Sequence, residues 1–181
     1  PSNQKPFNIP FILFCMKKLI LEKLPRVVKN RKKLEEALNV KIANRGKEVF
    51  MEGEPLDEYL AEKVLDALEL GFPMEVALLI KEEEMVLEII NIKDYTKRKD
   101  LGSIRARIIG KDGKTLRTLT NLTSCNFEIN DNVVGIIGDA EDIETAQTAL
   151  ISLIQGSKQA NVYAYLEKHH TKPVIDLGLK E

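Results

Sequence analysis

Cysteine, histidine and tryptophan are scarce in this chain: its 181 residues include two cysteines, two histidines and no tryptophan. Cys15 and Cys125 are too few and too scattered for a disulfide framework or a zinc site, which is typical of a reducing cytoplasm. His169 and His170 are adjacent, and no serine or cysteine is visibly paired with them. We therefore expect a cytoplasmic protein that is not an enzyme and that uses no metal or cofactor.

Long apolar runs are also missing. The longest, residues 9–16, has eight residues, whereas a membrane-spanning helix needs about 20. It also lacks the small-residue cleavage site of a signal peptide. The sequence thus predicts no membrane partner.

An excess of positive charge is absent overall, since the net charge is −1. The charge is unevenly distributed, however. Residues 93–117 contain nine basic and three acidic residues, a local net charge of +6 that leaves −7 for the rest of the chain. A basic stripe on an otherwise acidic chain indicates a local contact with a nucleic-acid backbone.

The most informative stretch is residues 108–115, which read Ile-Ile-Gly-Lys-Asp-Gly-Lys-Thr. Glycine has no Cβ, so the backbone at Gly110 and Gly113 can adopt unusual dihedral angles and approach a ligand closely. Exposed amides before a helix favour an anion, and Lys111, Lys114 and Arg117 add positive charge. The stretch therefore predicts contact with a phosphodiester chain, and with RNA in particular.

Two other interpretations compete with this one. A Gly-x-x-Gly tetrapeptide is common by chance. Gly113-Lys114-Thr115 also imitates the end of the nucleotide-binding pattern G-x-x-x-x-G-K-[ST], but that pattern needs a glycine at position 108, where this chain has Ile108. The spacing excludes the nucleotide loop, so the flanking sequence has to decide between RNA and chance.

The flanks predict the order strand, helix, glycine loop, helix, strand, strand, helix. Strands are expected at residues 85–92, 125–129 and 133–137, and helices at residues 101–109 and 114–123. Asp139 is the expected N-cap of the long last helix, and Gly156 is its expected end. A shorter helix is expected over residues 161–168.

This order and the motif at residues 108–115 closely resemble the KH domain of eukaryotic (type I) topology, over roughly residues 85–156. The resemblance implies a single-stranded nucleic-acid binder whose glycine loop clamps about four nucleotides. It also implies a groove between that loop and the strand around Phe127 and Ile129. The apolar floor of the groove would be formed by Ala106, Ile109, Leu116 and Leu119, of which Leu119 is expected to serve the core.

An internal repeat extends the prediction to the rest of the chain. Laid over itself so that position 19 meets position 104, the chain aligns positions 19–71 with 104–156 without a gap. The identical pairs fall on caps, turn glycines and core positions: Lys29 and Lys114, Leu34 and Leu119, Val49 and Val134, Gly53 and Gly138, Asp57 and Asp142, Ala61 and Ala146, Leu65 and Leu150, Leu68 and Leu153, Gly71 and Gly156. We predict an α+β protein of two tandem KH-like modules of type I (βααββα); the alternative is a separate first fold with coincidental spacing.

The first module is expected to be degenerate, because Pro25 and Val28 fall on the glycine positions of the loop. Proline lacks an amide proton and valine has a branched Cβ, so a loop at residues 25–28 would contact phosphate poorly. RNA contact should therefore concentrate on the second module. The expected boundaries are residues 1–15 for an N-terminal extension, 16–84 and 85–170 for the modules, and 171–181 for a C-terminal tail.

Further motifs narrow the resemblance. Asp-Tyr-Thr-Lys-Arg-Lys at residues 94–99, Arg-Ala-Arg at residues 105–107, and Val162-Tyr163 with Leu166-Glu167 accompany the glycine loop. Together they resemble the ribosome-assembly factors of archaea and eukaryotes called Dim-two, or partner of Nob-one, over about residues 17–170. The resemblance implies a non-catalytic protein that binds the single-stranded 3′ region of small-subunit (16S) rRNA during pre-rRNA maturation. It also implies a Nob-one-type endonuclease and translation initiation factor two, alpha subunit, as partners.

The residues expected to contact RNA lie in the glycine loop, around it and on the facing strand. They are Arg105, Arg107, Ile109, Gly110, Lys111, Asp112, Gly113, Lys114, Thr115, Arg117 and Ile129. The alternative function is a protein-interaction scaffold that keeps the KH fold without essential RNA binding. A nucleotide-dependent enzyme is the third and weakest candidate.

Overall fold

The computed structural model describes residues 17–20 and 24–169. Cys15, the apolar run at residues 9–16, His170 and the expected C-terminal tail lie outside these residues. The chain divides by internal contacts into two compact units, Pro1–Glu69 and Leu70–Glu181. The connecting segment 70–84 therefore lies with the second unit, and the module boundary expected after residue 84 stays a prediction.

The first unit packs two helices on a three-stranded antiparallel sheet of order β1-β3-β2. Its elements are β1 (Lys17–Ile20), α1 (Leu24–Leu38), β2 (Lys41–Arg45), β3 (Glu48–Glu52) and α2 (Pro55–Leu70). Alternate residues of β3, Val49 and Met51, are buried, as are Leu34 and Leu38 on α1. One face of each element thus supplies a continuous apolar core.

The second unit has a sheet of the same kind, with order β4-β6-β5. The short helix α3 (Met74–Ala77) and a 3₁₀ turn at Leu78–Lys81 precede it. Its further elements are β4 (Met85–Asn91), α4 (Leu101–Ile109), α5 (Lys114–Thr123), β5 (Asn126–Asn130), β6 (Val133–Asp139), α6 (Ala140–Gln155) and α7 (Gln159–His169). The order predicted from the sequence is confirmed here, and α4 and α5 have the predicted bounds.

The core of the second unit lies between its sheet and four helices. The apolar side chains of α4, α5, α6 and α7 meet those of the strands there: Ile90, Ile104, Ile108, Leu119, Phe127, Val134, Ile136, Leu150, Leu153, Val162 and Leu166. Leu119 is therefore a core residue, as expected. The carboxylate of Asp139 accepts a hydrogen bond from the Glu141 amide at 2.9 Å, and Gly156 ends α6 with a φ of +110°, so both predicted caps are confirmed.

The two sheets share their strand register. Lys41 pairs with Glu52 in the first unit, and Asn126 pairs with Ile137 in the second, and the sequence repeat aligns these two pairs with each other. The helix α2 coincides with α6 under the same alignment. The sequence repeat is therefore a structural repeat from β2 to the end of α2.

The first unit differs from the predicted order before β2, where one helix replaces two. Lys17 and Glu88 face equivalent residues of the central strands, Met51 and Ile136. The segment from Lys17 to Lys29 is nevertheless less than half as long as the segment from Glu88 to Lys114, although Lys29 and Lys114 are equivalent in the repeat. Among residues 17–20 and 24–69, none corresponds to α4 and the glycine loop.

The loop predicted at residues 25–28 is accordingly wrong, since these residues form the first turn of α1. Proline is well tolerated in a first helical turn, because its missing amide proton would have no helical acceptor there. Val27 is buried and holds this turn to the core, whereas Val28 is exposed.

One repeated glycine pair has a shared packing role. A Cβ on Gly53 would lie 2.8 Å from Cγ1 of Val40, and a Cβ on Gly138 would overlap Sγ of Cys125. Val40 and Cys125 are themselves equivalent in the repeat. In both units a glycine is therefore required because the residue before the second strand occupies the space of its side chain.

Cys125 is a buried small hydrophobe. Its side chain has no exposed surface, and its Sγ donates to the Thr123 carbonyl at 3.3 Å. Burial, which disfavours the thiolate, raises the pKa of Cys125 to about 11. The thiol is thus held in its unreactive protonated form.

None of the helices within residues 24–169 is long and apolar enough to cross a membrane.

The glycine packing predicts a stability difference between two alanine variants. Gly138→Ala should lower the free energy of unfolding of the second unit by about 1–3 kcal/mol, because the new methyl group overlaps Cys125. Gly102→Ala in α4 is the control, since its Cβ would meet only the Asp100 carboxylate at 3.4 Å; it should change stability by less than about 0.5 kcal/mol. Hydrogen exchange of the β6 amides in native conditions measures the free energy of unfolding of both variants. Equal free energies would contradict the proposed clash with Cys125.

Candidate nucleic-acid interface

The glycine loop, residues 110–113, turns the chain sharply between α4 and α5. Gly110 has φ 74° and ψ 174°, Asp112 has φ 54° and ψ 29°, and Gly113 has φ 74° and ψ 13°. The Gly110 conformation is accessible almost only to glycine, and the other two lie in the left-handed region. Three of the four residues of this loop therefore have a positive φ.

The two glycines are needed for different reasons. A Cβ on Gly110 would lie 2.7 Å from the backbone nitrogen of Thr115 and would overlap the Thr115 hydroxyl. A Cβ on Gly113 would meet nothing closer than the Arg117 guanidinium at 3.8 Å. Gly110 therefore closes the loop against the first turn of α5, whereas Gly113 keeps the backbone accessible.

The loop presents backbone amides that have no acceptor of their own. The Gly110 amide donates to the Ala106 carbonyl at 2.8 Å, and the Gly113 amide donates to the Gly110 carbonyl at 3.3 Å. Within residues 17–20 and 24–169, no hydrogen bond engages the amides of Lys111 and Asp112. Successive free amides in a turn with left-handed residues form a concave anion site.

Positive side chains surround these amides. Lys111 and Lys114 are exposed, and neither has an ion-pair partner in the described part of the chain. Arg117 folds back on the loop: its Nε donates to the Gly113 carbonyl at 3.4 Å and its Nη2 donates to the Asp112 carbonyl. These bonds turn the loop carbonyls away from an incoming anion and hold a third positive charge beside it. An open cleft follows along α5, lined by Lys111, Asp112, Lys114, Arg117, Thr118 and Asn121.

Arg105 and Ile109 lie on the same face of α4, because they are one helical turn apart. Ile109 is 39% exposed directly before the loop, although it is apolar. Arg105 approaches Asp131, in the turn after β5, with 3.8 Å between Nη1 and Oδ1. The turn between β5 and β6 therefore stands opposite α4, and Ile129 of β5 is half-buried beside it. Phe127, by contrast, is buried in the core.

Two of the expected contact residues have internal partners. The hydroxyl of Thr115 is buried, with 3% of the residue exposed, and accepts a hydrogen bond from Gln159 at 2.8 Å. Nη2 of Arg107 donates to the carbonyls of Gly156, at 3.0 Å, and Ser157. Thr115 and Arg107 thus have partners within the fold on either side of the loop, and their direct contact with RNA stays a prediction. Gln159 was not predicted, because no local pattern marks a glutamine that reaches across the fold.

The remaining expected residues are brought together at one end of the second unit. Gly110, Lys111, Asp112, Gly113, Lys114 and Arg117 form the loop and its charged border, and Arg105, Ile109 and Ile129 form the adjoining wall. Their contact with RNA stays a prediction. No cluster of three or more histidine, cysteine or acidic side chains suited to a metal ion occurs within the described residues.

Comparison with known proteins agrees with this topology. Residues 86–171 match the family model of the eukaryotic type KH-domain (KH-domain type I). A KH domain-containing protein of Methanocaldococcus jannaschii is 34% identical over 120 residues, which are 66% of this chain and 53% of that protein. The pre-rRNA-processing protein PNO1 of Yarrowia lipolytica is 37% identical over 103 residues, 55% of this chain and 40% of that protein. The chain spans about half the length of the curated relatives it matches.

Two solved structures resemble most of the chain. The crystal structure of Dim2p from Pyrococcus horikoshii has a TM-score of 0.78 and 29% identity, covering 84% of this chain and 98% of that one. The complex of a/eIF2alpha, aDim2p and rRNA from the same organism contains a chain with a TM-score of 0.78 and 28% identity, covering 86% of this chain and 93% of that one.

The loop between two helices, the three-stranded sheet and the family match together define residues 86–171 as a type I KH domain. The relatives narrow the assignment further. The chain resembles the KH family of archaeal Dim2 and PNO1 proteins.

Because Gly110 and Gly113 have different surroundings, replacing each with alanine should lower the thermal stability by different amounts. Gly110→Ala should destabilise the second unit by more than Gly113→Ala, because it adds an overlap with Thr115 to the strain of a positive φ. We expect the melting temperature of Gly110→Ala to lie at least about 5 °C below that of Gly113→Ala. Thermal unfolding followed by circular dichroism makes the comparison. Equal melting temperatures would show that Thr115 does not close the loop.

Proposed function

We propose that this chain is a non-catalytic, cytoplasmic protein that binds single-stranded RNA through its second unit. The observation that carries the proposal is the pair of unengaged amides at Lys111 and Asp112, flanked by the unpaired cations of Lys111 and Lys114. One or two phosphates would accept from these amides, and the bases would lie toward Ile109 and Ile129. Type I KH domains bind a short single strand with such a loop.

Stacking and edge contacts of the bases require a partly apolar wall, and the partly exposed side chain of Ile109 supplies one. Arg105 stands on the same wall, with 3.8 Å between its Nη1 and the Asp131 carboxylate. That carboxylate is almost fully exposed, so the ion pair is weak and can yield to a base edge or a phosphate. Arg105 is thus available to the RNA at small energetic cost.

The RNA we propose is the 3′ region of small-subunit (16S) rRNA, bound during pre-rRNA maturation. The names of the PNO1 relatives, which refer to pre-rRNA processing, and the solved complex of aDim2p with rRNA support this choice. That complex also contains a/eIF2alpha, which supports the alpha subunit of translation initiation factor two as a protein partner. A Nob-one-type endonuclease is proposed as a second partner from the resemblance of the sequence.

We further propose that the first unit is a KH-like module without α4 and without a glycine loop. The shared strand register, the coincidence of α2 with α6 and the equivalent glycines Gly53 and Gly138 support a common fold. A module without the loop has no equivalent of the free amides of Lys111 and Asp112. RNA contact through such amides is therefore confined to the second unit.

A protein-interaction role for the first unit is the second candidate function, and it has an observation of its own. Leu56 and Tyr59 of α2 are 68% and 51% exposed, and the equivalent positions of α6 are the acidic residues Glu141 and Glu144. Large apolar side chains on a surface that is charged in the sister module favour a partner protein. Both functions are compatible, because they use different units.

Removal of the two free cations should weaken RNA binding in a salt-dependent manner. The variant Lys111→Ala with Lys114→Ala should bind a single-stranded RNA octamer from the 3′ end of small-subunit rRNA at least about tenfold more weakly. The slope of log affinity against log salt should become shallower by about 1.4, since each neutralised phosphate contributes about 0.7. Fluorescence anisotropy at several salt concentrations gives both quantities.

Lys168→Ala, which removes an exposed cation from the last turn of α7, is the matched control and should leave affinity and slope unchanged. A double variant that binds as tightly as the wild type, with the same slope, would contradict a phosphate site at the loop. A wild-type chain that fails to bind the octamer, yet retains a protein partner after nuclease treatment, would favour the scaffold function instead.

A further inference from the structure

The first residue of helix α7 bonds to residues on both sides of the glycine loop. This residue, Gln159, donates from Nε2 to the Thr115 hydroxyl at 2.8 Å and to the Arg107 carbonyl at 3.3 Å. Arg107 lies in the last turn of α4, and Thr115 lies in the first turn of α5. One amide group therefore joins the two helix ends between which the loop is suspended.

The Arg107 carbonyl is one of the last four of α4, which have no acceptor role within the helix. Gln159 satisfies it from outside. The Arg107 guanidinium in turn donates to the carbonyls of Gly156 and Ser157, at the negative end of α6. Arg107 therefore bonds to this part of the chain twice: its guanidinium to the turn between α6 and α7, and its carbonyl to Gln159. These bonds hold the start of α7 beside the end of α4.

The position of Thr115 decides the path of the loop. Its backbone nitrogen and its Cβ would each lie 2.7 Å from a Cβ on Gly110, so the loop passes directly over this residue. The hydrogen bond from Gln159 restrains the orientation of the Thr115 hydroxyl, which lies where a side chain on Gly110 would have to be.

We propose that Gln159 is a positioning residue for RNA binding, which keeps the amides of Lys111 and Asp112 in the arrangement that accepts phosphate. This inference rests on the proposed function. A loop that is already ordered before binding loses less conformational entropy when the ligand binds. The smaller entropic cost makes the affinity higher. The helix α7, which follows the last helix of the βααββα order, is therefore part of the RNA-binding apparatus, although it contributes no contact with RNA.

A double-mutant cycle tests the proposal in the full chain. Gln159→Leu removes the amide at similar volume, Thr115→Val removes the hydroxyl and keeps the branched shape, and the double variant combines them. Thr115→Val should bind the RNA octamer about five- to tenfold more weakly, as expected for one lost hydrogen bond, and Gln159→Leu, which also frees the Arg107 carbonyl, should bind at least as weakly as Thr115→Val. The double variant should be no weaker than the worse single variant, because both remove the same bond.

The salt dependence separates positioning from direct contact. None of the three variants changes the number of phosphates neutralised, so the slope of log affinity against log salt should equal that of the wild type, unlike the slope of the lysine variants. Asn161→Leu, two residues further along α7 at an exposed position, is the matched control and should bind like the wild type. Measurements well below the melting temperature of each variant keep unfolding out of the comparison.

Wild-type affinity in Gln159→Leu would overturn the proposal, and so would strictly additive losses in the double variant. A shallower salt slope for Gln159→Leu would also overturn it, since that result assigns Gln159 to the ligand contact itself. If the wild-type chain does not bind the octamer at all, the proposed function fails rather than the role of Gln159 within it.

Discussion

The packing of Thr115 against Gly110 is the constraint on which the proposed RNA-binding loop of this protein depends. It forces the chain through the one region of backbone conformation that glycine alone adopts easily, with φ 74° and ψ 174° at Gly110. The following turn then leaves the amides of Lys111 and Asp112 without acceptors in the described chain. The proposed anion site therefore depends first on backbone geometry, and the lysines add positive charge beside it.

The described residues of the first unit contain no equivalent of this constraint. Its sheet has the same order and the same register between β2 and β3, and its last helix ends at a glycine of positive φ, as α6 does. The shorter segment before α1 removes one helix and the loop together. The comparison separates the residues that build the fold from those that build the anion site. Gly53 and Gly138 belong to the first group, and Gly110 and Gly113 belong to the second.

Much of the second unit could be predicted from local patterns. The bounds of α4 and α5, the cap at Asp139 and the end at Gly156 each depend on residues within a few positions of one another, and all were confirmed. The first unit was harder to predict. The ungapped alignment pairs the start of α1 with the glycine loop, whereas the described residues of the first unit have no equivalent of α4 and its loop. Pro25 and Val28 were interpreted as a damaged loop, whereas they open a helix in which proline is acceptable.

The sequence predicted the positions of the site residues but not their partners within the fold. Arg107 and Thr115 lie where the motif placed them, but their partners, Gly156, Ser157 and Gln159, are more than 40 positions away in sequence. An arginine near a glycine loop has the same local pattern whether it meets a phosphate or a helix end. Only the tertiary structure distinguishes the two, which is why Gln159 had no signal in the sequence.

The most direct test of this account is an amide NMR titration of the full chain with the single-stranded RNA octamer. The amide resonances of Lys111 and Asp112 should shift downfield in a saturable manner, because each proton gains a charged acceptor that it lacks in the free protein. The amide of Gly110, already bonded to Ala106, should shift less. Saturable binding that leaves the Lys111 and Asp112 amides unmoved while other surfaces respond would contradict the central claim that RNA binds at the glycine loop.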